Sequence, residues 1–493
     1  MIAEHLPALQ VVIPLMAAPL CILLHRASGA WFVSLVASWC SFAVAVALLG
    51  QVQAGGTISY PLGDWAPPWG IEYRVDMVSA FVLVIVSAIG AVVIPFARTS
   101  VEREVPSDRA YLFYCMYCLC LTGMLGIAIT GDAFNLFVFL EIASLSSYVL
   151  VSMGTDRRAL MAAYRYLIMG TIGATFYIIG VGLLYMMTGT LNMADLAERL
   201  PAVAETRTIL AALAFLTVGI SLKLALFPLH LWLPNAYAFA PSVVTAFLAA
   251  TATKVAVYAL IRIYFTIFGG IDVFETMAVR EVLMGLAIVA MFAGSLVAIY
   301  QNNVKRMLAY SSIAQIGYMV LGISIASVTG LSGGIIHLFN HALMKGALFL
   351  ALGCVVLRLG SAHVRDLDGI GRRMPLTMAA FVVGGLSLIG VPLTVGFVSK
   401  WTLIQAALER GWWPLAVIIL LTSLLAVIYV WRIVEVSYFR AVPADAADIA
   451  EAPASMLVPL WVLAGACVYF GANAEQTVTI ARGAAAALLG VSP

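Results

Sequence analysis

Charged side chains are scarce in this chain of 493 residues. Asp, Glu, Lys and Arg make up 10% of it, whereas 63% is hydrophobic and the mean hydropathy is +1.05. Ordinary soluble domains carry about 25% charged residues, so this composition excludes a soluble globular protein. The net charge of +2 gives no reason to expect an acidic or nucleic-acid partner.

Lysine is rarer still, with five occurrences. Lys305 is expected in a polar turn, and the other four lie inside long apolar segments: Lys223, Lys254, Lys345 and Lys400. A charged group near the centre of a bilayer costs roughly 2.5–3.5 kcal/mol on insertion scales, so each buried lysine indicates a function. Unlike arginine, a buried lysine can lose its proton. A row of such lysines, together with a glutamate and histidines, predicts a proton relay.

Signatures of cofactor and metal binding are also missing. The sequence has no glycine-rich dinucleotide fingerprint, phosphate loop or iron–sulfur cysteine run, and we predict no cofactor. Cys115, Cys118 and Cys120 cluster, but no histidine or second cysteine pair accompanies them. We interpret these cysteines as small packing residues and predict no metal site.

Long apolar runs dominate the chain instead. A run of about 20 apolar residues crosses the hydrocarbon core as a helix, and about fourteen such runs are present. They begin near Pro7, Ala30, Met77, Tyr111, Asp132, Ala162, Thr208, Ser242, Glu281, Met307, Leu331, Pro375, Trp413 and Met456. The first run is followed by His25 and Arg26 without a small-residue cleavage site, so we expect a retained helix. The predicted fold class is an all-α polytopic membrane protein.

The basic residues predict the orientation of these helices. One set of alternating loops holds Arg26, Arg98, Arg103, Arg109, Arg157, Arg158, Lys305, Arg306, Arg358, Arg365, Arg372, Arg373 and Arg440. The other set holds only Arg74, Arg199, Arg207, Arg280, Arg410 and Arg482. By the positive-inside rule the first set faces the cytoplasm, and both termini are expected outside.

An internal repeat is indicated at a spacing near 170 residues. The corresponding pairs are Tyr148 with Tyr318, Gly173 with Gly346, Gly219 with Gly385, and Pro228 with Pro392. Small-residue coincidences are common in membrane helices, so the paired prolines carry most of the weight. Interrupted helices at matching positions of two halves indicate a transport site.

The first candidate group combines Glu141 and Lys223. Glu141 lies about ten residues into its span, near mid-membrane at 1.5 Å per residue, and shares a helix face with Ser144. Lys223 precedes Pro228, which should break its helix. A structural ion pair between helices is the alternative to a functional role for Glu141. His230 is more simply explained as a partner for the broken backbone.

Lys254 is the candidate carrier between the two halves. It lies well inside its span, whereas Arg262, two turns later, is close enough to a helix end for its head group to reach water.

His337, His341 and Lys345 recur every four residues and form one polar stripe about 12 Å long. Histidine titrates near neutrality, so this stripe can pass protons along the helix. Metal binding is the rival explanation, but a third ligand is missing. Lys400 follows Gly390, Pro392 and Gly396, which mark a second helix interruption.

Three sequence motifs resemble a known family. Residues 227–237 (FPLHLWLPNAY), 240–246 (APSVVTA) and 305–318 (KRMLAYSSIAQIGY) resemble signatures of the proton-translocating, antiporter-like membrane subunits. Such subunits occur in respiratory complex I, membrane-bound hydrogenases and Mrp-type Na+/H+ antiporters. Residues 188–197 (TGTLNMADLA) and Lys400 look most like the D-type subunit of the Mrp antiporters.

The resemblance implies fourteen helices with two inverted five-helix repeats, each containing one broken helix. It divides the chain into 1–109 (helices 1–3), 110–268 (first repeat), 269–440 (second repeat) and 441–493 (helix 14). The implied proton relay consists of Glu141, Lys223, Lys254, His337, His341, Lys345 and Lys400.

The implied function is that of a subunit of a multisubunit cation/proton antiporter in a bacterial cytoplasmic membrane, with H+ and Na+ as ions. Its expected partners are a larger antiporter-like subunit and small hydrophobic subunits. The alternative is a proton pump of a complex I-like or hydrogenase assembly driven by redox chemistry. A lipid-modifying membrane enzyme is a third class, without a supporting constellation of loop residues.

Overall fold

The computed structural model describes residues 2–442 and 449–491. Within these ranges the chain is almost entirely helical, and thirteen helices are long and apolar enough to cross a membrane. Pro375–Ile389 is an additional shorter apolar helix. The prediction of an all-α polytopic membrane protein with about fourteen spans is therefore confirmed, whereas the division into two inverted repeats stays a prediction.

The helices follow one another mostly with short connections, and the longest described connection, 56–76, contains the two strands. In chain order they are α1 (Leu6–Leu24), α2 (Ala27–Gly55), α3 (Met77–Glu104), α4 (Ala110–Ile129), α5 (Ala133–Ser152), α6 (Arg157–Thr188), α7 (Met193–Arg199), α8 (Arg207–Leu224), α9 (Leu233–Phe239), α10 (Ser242–Arg262), α11 (Val273–Thr276), α12 (Val279–Ile299), α13 (Val304–Ile325), α14 (Val328–Leu359), α15 (Ile370–Arg373), α16 (Pro375–Ile389), α17 (Val395–Glu409), α18 (Trp413–Val434), α19 (Ala454–Ala472) and α20 (Glu475–Leu488). Strands β1 (Ile58–Pro61) and β2 (Glu72–Val75) form an antiparallel hairpin.

Short polar side chains begin many of these helices. The first backbone N–H groups of a helix lack partners within it, and an oxygen acceptor just before the helix satisfies one of them. Side chains that accept such a hydrogen bond belong to Asp76, Asp132, Asp156, Asn192, Thr206, Asn303 and Ser327. The scarce polar residues thus mark the ends of spans.

Helices α10, α13 and α14 form the centre of the molecule. In the most apolar stretch of α10 and of α13, 94% of the residues are buried, against 33% for α2. Helix α14 packs directly against both α10 and α13. Polar groups on these three helices are therefore shielded from lipid by other parts of the chain.

Two spans are interrupted, as the paired prolines predicted. Helix α8 ends at Leu224, Ala225 adopts a left-handed conformation (φ 60°), and α9 begins at Leu233. Helix α16 ends at Ile389, Gly390 has φ 93°, and α17 begins at Val395. Each interruption leaves carbonyl groups without partners in their own helix.

The molecule has two polar ends. One end, here called the arginine-rich face, has a cavity of about 500 Å³ bordered by Arg103, Arg158 and Arg358. The opposite end, here called the hairpin face, carries β1 and β2 and a cavity of about 750 Å³. The buried Glu72 of the hairpin accepts a hydrogen bond from Asn192 Nδ2 at 2.8 Å, which ties the hairpin to the start of α7.

The structure corrects three expectations from the sequence. Lys305 does not lie in a polar turn: it is the second residue of α13 and only 5% exposed, because the preceding cap at Asn303 starts the helix earlier. Arg262 does not extend to water but makes a bidentate ion pair with Asp76 (2.6 and 2.7 Å) and is 4% exposed.

The third correction concerns the C-terminal segment. The part of 441–493 that the structure describes contains two helices, α19 and α20, rather than one; residues 443–448 and 492–493 lie outside the described ranges. Helix α20 packs against α14 and α3.

Candidate functional site

Lys223 and Glu141 meet at the first interruption. Lys223 Nζ donates to Glu141 Oε1 at 3.0 Å and to Ser144 Oγ at 2.7 Å. Glu141 and Ser144 are three residues apart on α5 and therefore share a face. Lys223 is the penultimate residue of α8, so its ammonium group lies beside the break. This arrangement places a buried amine beside a carboxylate and a hydroxyl at the end of an interrupted helix.

Trp232 satisfies part of the broken backbone. Its Nε1 donates to the Leu222 carbonyl at 2.9 Å, and its ring stacks on Tyr166 at a centroid distance of 3.9 Å. His230 was expected in this role; its ring stacks on Phe227 (5.1 Å) and interacts with the backbone of Pro228 within the break, while its Nδ1 has no hydrogen-bond partner. Because Trp232 donates a hydrogen bond to the Leu222 carbonyl, Lys223 need not do so and can bind Glu141.

A small cavity separates Lys223 from α10. It has a volume of about 30 Å³ and is bordered by Lys223, Ser144 and Tyr166 on one side and by Ala252 and Ala256 on the other. A polar cavity of this size is large enough for a water molecule. Water at this point would connect Lys223 with the helix that carries Lys254.

Lys254 is fully buried on α10. Its Nζ donates to the Ala249 carbonyl and, at 3.4 Å, to Thr253 Oγ1. Among the residues that the structure describes, no carboxylate forms an ion pair with it. Lys254 is close enough to Lys345 and His341 for direct electrostatic interaction. These like charges cannot all be held at once in an apolar interior without a large cost.

The stripe on α14 is fully buried and continuous. The rings of His337 and His341 are nearly parallel, with centroids 6.1 Å apart, and both nitrogens of His341 lack hydrogen-bond partners. Lys345 Nζ donates to the Leu308 carbonyl at 2.8 Å and to Ser311 Oγ. His337 Nδ1 hydrogen-bonds Ser399 Oγ at 2.8 Å. An unpartnered buried imidazole can accept or release a proton as its neighbours change charge.

Lys400 occupies the second interruption. Its Nζ donates to the carbonyls of Leu388 (3.0 Å) and Ile389 (2.9 Å) and to Ser423 Oγ (2.8 Å). The ring of Tyr318 lies 5.0 Å from the same nitrogen, within the range of a cation–π contact. The two breaks therefore differ. At the first, a freed carbonyl accepts a hydrogen bond from a tryptophan, and at the second, the freed carbonyls accept hydrogen bonds from the lysine itself.

The seven predicted residues fall into three groups. Glu141 contacts Lys223 directly, and Lys254, His341 and Lys345 interact electrostatically where α10 packs against α14. His337 hydrogen-bonds Ser399, the residue before Lys400 in α17, and interacts electrostatically with Lys400. The sequence prediction did not assign roles to the linking residues Trp232, Ser399 and Ser423. Only the adjacency of Ser399 to Lys400 could have indicated its place.

The described part of the chain contains no group of side chains arranged to bind a metal ion. No three His, Cys, Asp or Glu side chains there converge as a metal site requires. The histidine pair on α14 instead faces lysines, whose positive charge opposes cation binding.

Comparisons with known proteins identify relatives along almost the whole chain. Residues 130–426 match the family model described as NADH:quinone oxidoreductase/Mrp antiporter, transmembrane. NADH-quinone oxidoreductase subunit N of Desulforudis audaxviator is 42% identical over 491 residues, covering 96% of this chain and 97% of that protein. The D-type subunit of the Na(+)/H(+) antiporter of Alkalihalophilus pseudofirmus is 32% identical, and the match covers 79% of this chain and 78% of that protein.

A solved structure has the same fold. A chain of the Mrp complex from Dietzia sp. DQ12-45-1b superimposes with a TM-score of 0.90 at 28% identity, covering 99% of this chain and 98% of that one.

Proposed function

Because this chain belongs to the NADH:quinone oxidoreductase/Mrp antiporter transmembrane family, we propose that it is the proton-translocating subunit of a multisubunit Na+/H+ antiporter. The observation that carries the proposal is the contact of Lys223 with Glu141 beside a helix break and a cavity of about 30 Å³. Ionisable residues inside a membrane are costly and are kept where they move ions. The bond between Lys223 and Ser144 supports the same function, because the hydroxyl can accept or donate.

Protons enter the relay at the ion pair in this proposal. The ionised Glu141 stabilises the ammonium form of Lys223 by a contact of 3.0 Å. When Glu141 is protonated or moves away, the buried ammonium loses its partner and its charged form becomes costly. The proton then passes through water in the small cavity to Lys254, and Lys223 becomes a neutral amine.

The second half carries the proton onward. Lys254, His341 and Lys345 interact electrostatically, so a proton on one raises the energy of a proton on the others. From His337 the proton reaches Ser399 Oγ and then Lys400, whose site at the second break is bordered by freed carbonyls. Release from Lys400 completes the transfer.

The assembly and orientation are part of the same proposal. The partners are other membrane subunits, including a larger antiporter-like subunit and small hydrophobic subunits, in a bacterial cytoplasmic membrane. The arginine-rich face is cytoplasmic and both termini lie outside, as the distribution of Arg and Lys favours. The chain divides into 1–109, two repeats over 110–268 and 269–440, and 441–493. Coupling to Na+ then depends on partner subunits.

A second candidate function is a proton pump in a redox-driven assembly. Its support is the 42% identity to a protein named as a subunit of NADH-quinone oxidoreductase. The relay would be the same, and the energy source would differ. The antiporter is favoured by the relatives named as D-type subunits of Na(+)/H(+) antiporters.

Partner identification combined with transport tests the proposal. We expect the tagged chain, purified from its native membranes, to bring along small hydrophobic subunits and a larger antiporter-like chain. In inside-out vesicles, Na+ added after a pH gradient is established should dissipate the gradient without NADH. Recovery of flavin or iron–sulfur subunits, with proton transport that requires a reductant and not Na+, would overturn the antiporter assignment.

A further inference from the structure

A second cluster of glutamate, serine and lysine lies at the arginine-rich face, outside the relay. Lys305 Nζ donates to Ser242 Oγ at 3.1 Å and to the Ala240 carbonyl at 3.4 Å. Ser242 Oγ in turn donates to Glu104 Oε2 at 3.0 Å. The hydrogen bonds therefore run in one direction from an ammonium through a hydroxyl to a carboxylate.

This cluster has the same composition as the group formed by Glu141, Ser144 and Lys223. In both, a buried ammonium donates to a serine hydroxyl next to a carboxylate. Lys305 is 5% exposed, so its charge is shielded at least as well as that of Lys223 at 9%. A lysine that served only solubility would have its head group in water.

The cluster borders the cavity of about 500 Å³ at the arginine-rich face. Apart from the cluster, the charged or titratable residues that line this cavity are Arg103, Asp156, Arg158, Arg358 and His363. A polar space of this volume holds several water molecules, since one water occupies about 30 Å³ in the liquid. Water can therefore reach Lys305 and Glu104 from this face.

Helix α13 connects Lys305 with the interior. Lys305 lies one turn before Leu308, a rise of about 4.5 Å. The Leu308 carbonyl and Ser311 Oγ hold Lys345 Nζ. Along α13, Lys305 at the cavity therefore precedes by one to two turns the two residues that hold Lys345.

We propose that Glu104, Ser242 and Lys305 form a proton port that connects water at the arginine-rich face with Lys345. A hydronium ion in the cavity water gives its proton to the neutral amine of Lys305 and is left as water. The proton then passes from the same nitrogen to the neutral amine of Lys345, so no other reactant is needed. Glu104 stabilises the intermediate ammonium through Ser242. This inference rests on the proposed relay and adds a second entrance, separate from Glu141, on which transport through the second half of the relay depends.

A purely structural role makes a different prediction. Glu104 Oε2 also accepts a hydrogen bond from Ser242 N (2.9 Å), and this contact ties the end of α3 to the start of α10. Lys305→Arg keeps the positive charge and the donors but cannot release a proton. If Lys305 is a port, we expect Lys305→Arg to lower proton transport on the order of 100-fold in membrane vesicles containing the whole complex. Transport at the level of the unmodified chain would contradict the port.

A second experiment leaves the cluster unchanged. Cys40 is the exposed cysteine among the seven, so Cys40→Ser provides the background. Thr155→Cys places a thiol in the lining of the cavity, and Ser107→Cys places one on the same face outside that lining. We expect a bulky, membrane-impermeant maleimide to abolish transport with Thr155→Cys and not with Ser107→Cys. Unchanged transport after complete labelling of Thr155→Cys would overturn the port.

Lys223→Ala, measured alongside, separates the two proposals. Loss of transport in Lys223→Ala together with normal transport in Lys305→Arg and in labelled Thr155→Cys would remove the port and retain the relay. Normal transport in Lys223→Ala would instead contradict the relay itself. If Lys305→Arg fails to assemble, judged by native gel electrophoresis, the labelling result decides alone.

Discussion

Among its individual residues, the chain uses lysine where it needs a buried group that can gain and lose a proton. All five lysines have between 0% and 9% relative exposure, whereas most arginines are exposed. Their partners differ: Lys223 binds a carboxylate, and Lys345 and Lys400 bind carbonyls and serine hydroxyls. Carbonyls and hydroxyls stabilise an ammonium group less than a carboxylate does, so Lys345 and Lys400 can lose their protons at a lower cost in free energy.

Lys400→Ala tests the second half of the relay. We expect it to lower proton transport on the order of 100-fold, because Lys400 is the residue that carries a proton at the second break. Ser423→Ala is the matched control: it removes the hydrogen bond accepted from Lys400 and the one donated to the Ile389 carbonyl, keeps Lys400 itself, and should cost no more than about tenfold. Both are measured by fluorescence quenching in inside-out vesicles. Unimpaired flux in Lys400→Ala would place the exit in the first half of the molecule.

The residue types of the relay could be predicted from the sequence, but their contacts could not. Buried Lys, Glu and His stand out against a chain with 10% charged residues. Trp232 and Ser423 are ordinary in sequence, and only the fold brings them to Leu222 and Ile389. Lys305 was expected in a turn, but Asn303 caps α13, so the helix begins at Val304 and includes the lysine.

Among the helices, the two interrupted spans provide the polar sites. Regular helices satisfy their own carbonyls, so a break is the place where freed backbone groups can bind a cationic side chain. Prolines predicted both breaks. The sequence did not indicate that Trp232 hydrogen-bonds a carbonyl at the first break and that Lys400 does so at the second. These contacts depend on how α8 packs against α6 and how α17 packs against α18.

Gly396→Ala tests the geometry of the second break. A Cβ there would overlap the Ser387 carbonyl oxygen, so the backbone around Lys400 must shift. We expect a loss of about 1–3 kcal/mol in stability and impaired transport. Gly465→Ala is the control, because its added Cβ meets nothing within 4 Å. Thermal unfolding of the solubilised complex measures the difference; equal midpoints for the two variants would contradict the close contact.

Across the molecule as a whole, central polar helices are surrounded by apolar ones. The number of spans and their helical class followed from composition, since about 20 apolar residues suffice for one crossing. The two-helix C-terminal segment was not predicted, because α20 carries Glu475 and Arg482 and lacks a continuous apolar run. Its place against α3 and α14 is a tertiary feature.

Lys223 is proposed to carry protons and not merely to form half of a structural ion pair. Lys223→Arg distinguishes these two roles, because arginine keeps the charge and the contact with Glu141 but cannot deprotonate. We predict that the Lys223→Arg complex assembles normally and has lost Na+-dependent proton transport on the order of 100-fold. Lys223→Ala gives the reference for complete loss. Full transport by Lys223→Arg would show that charge alone suffices and would contradict the relay.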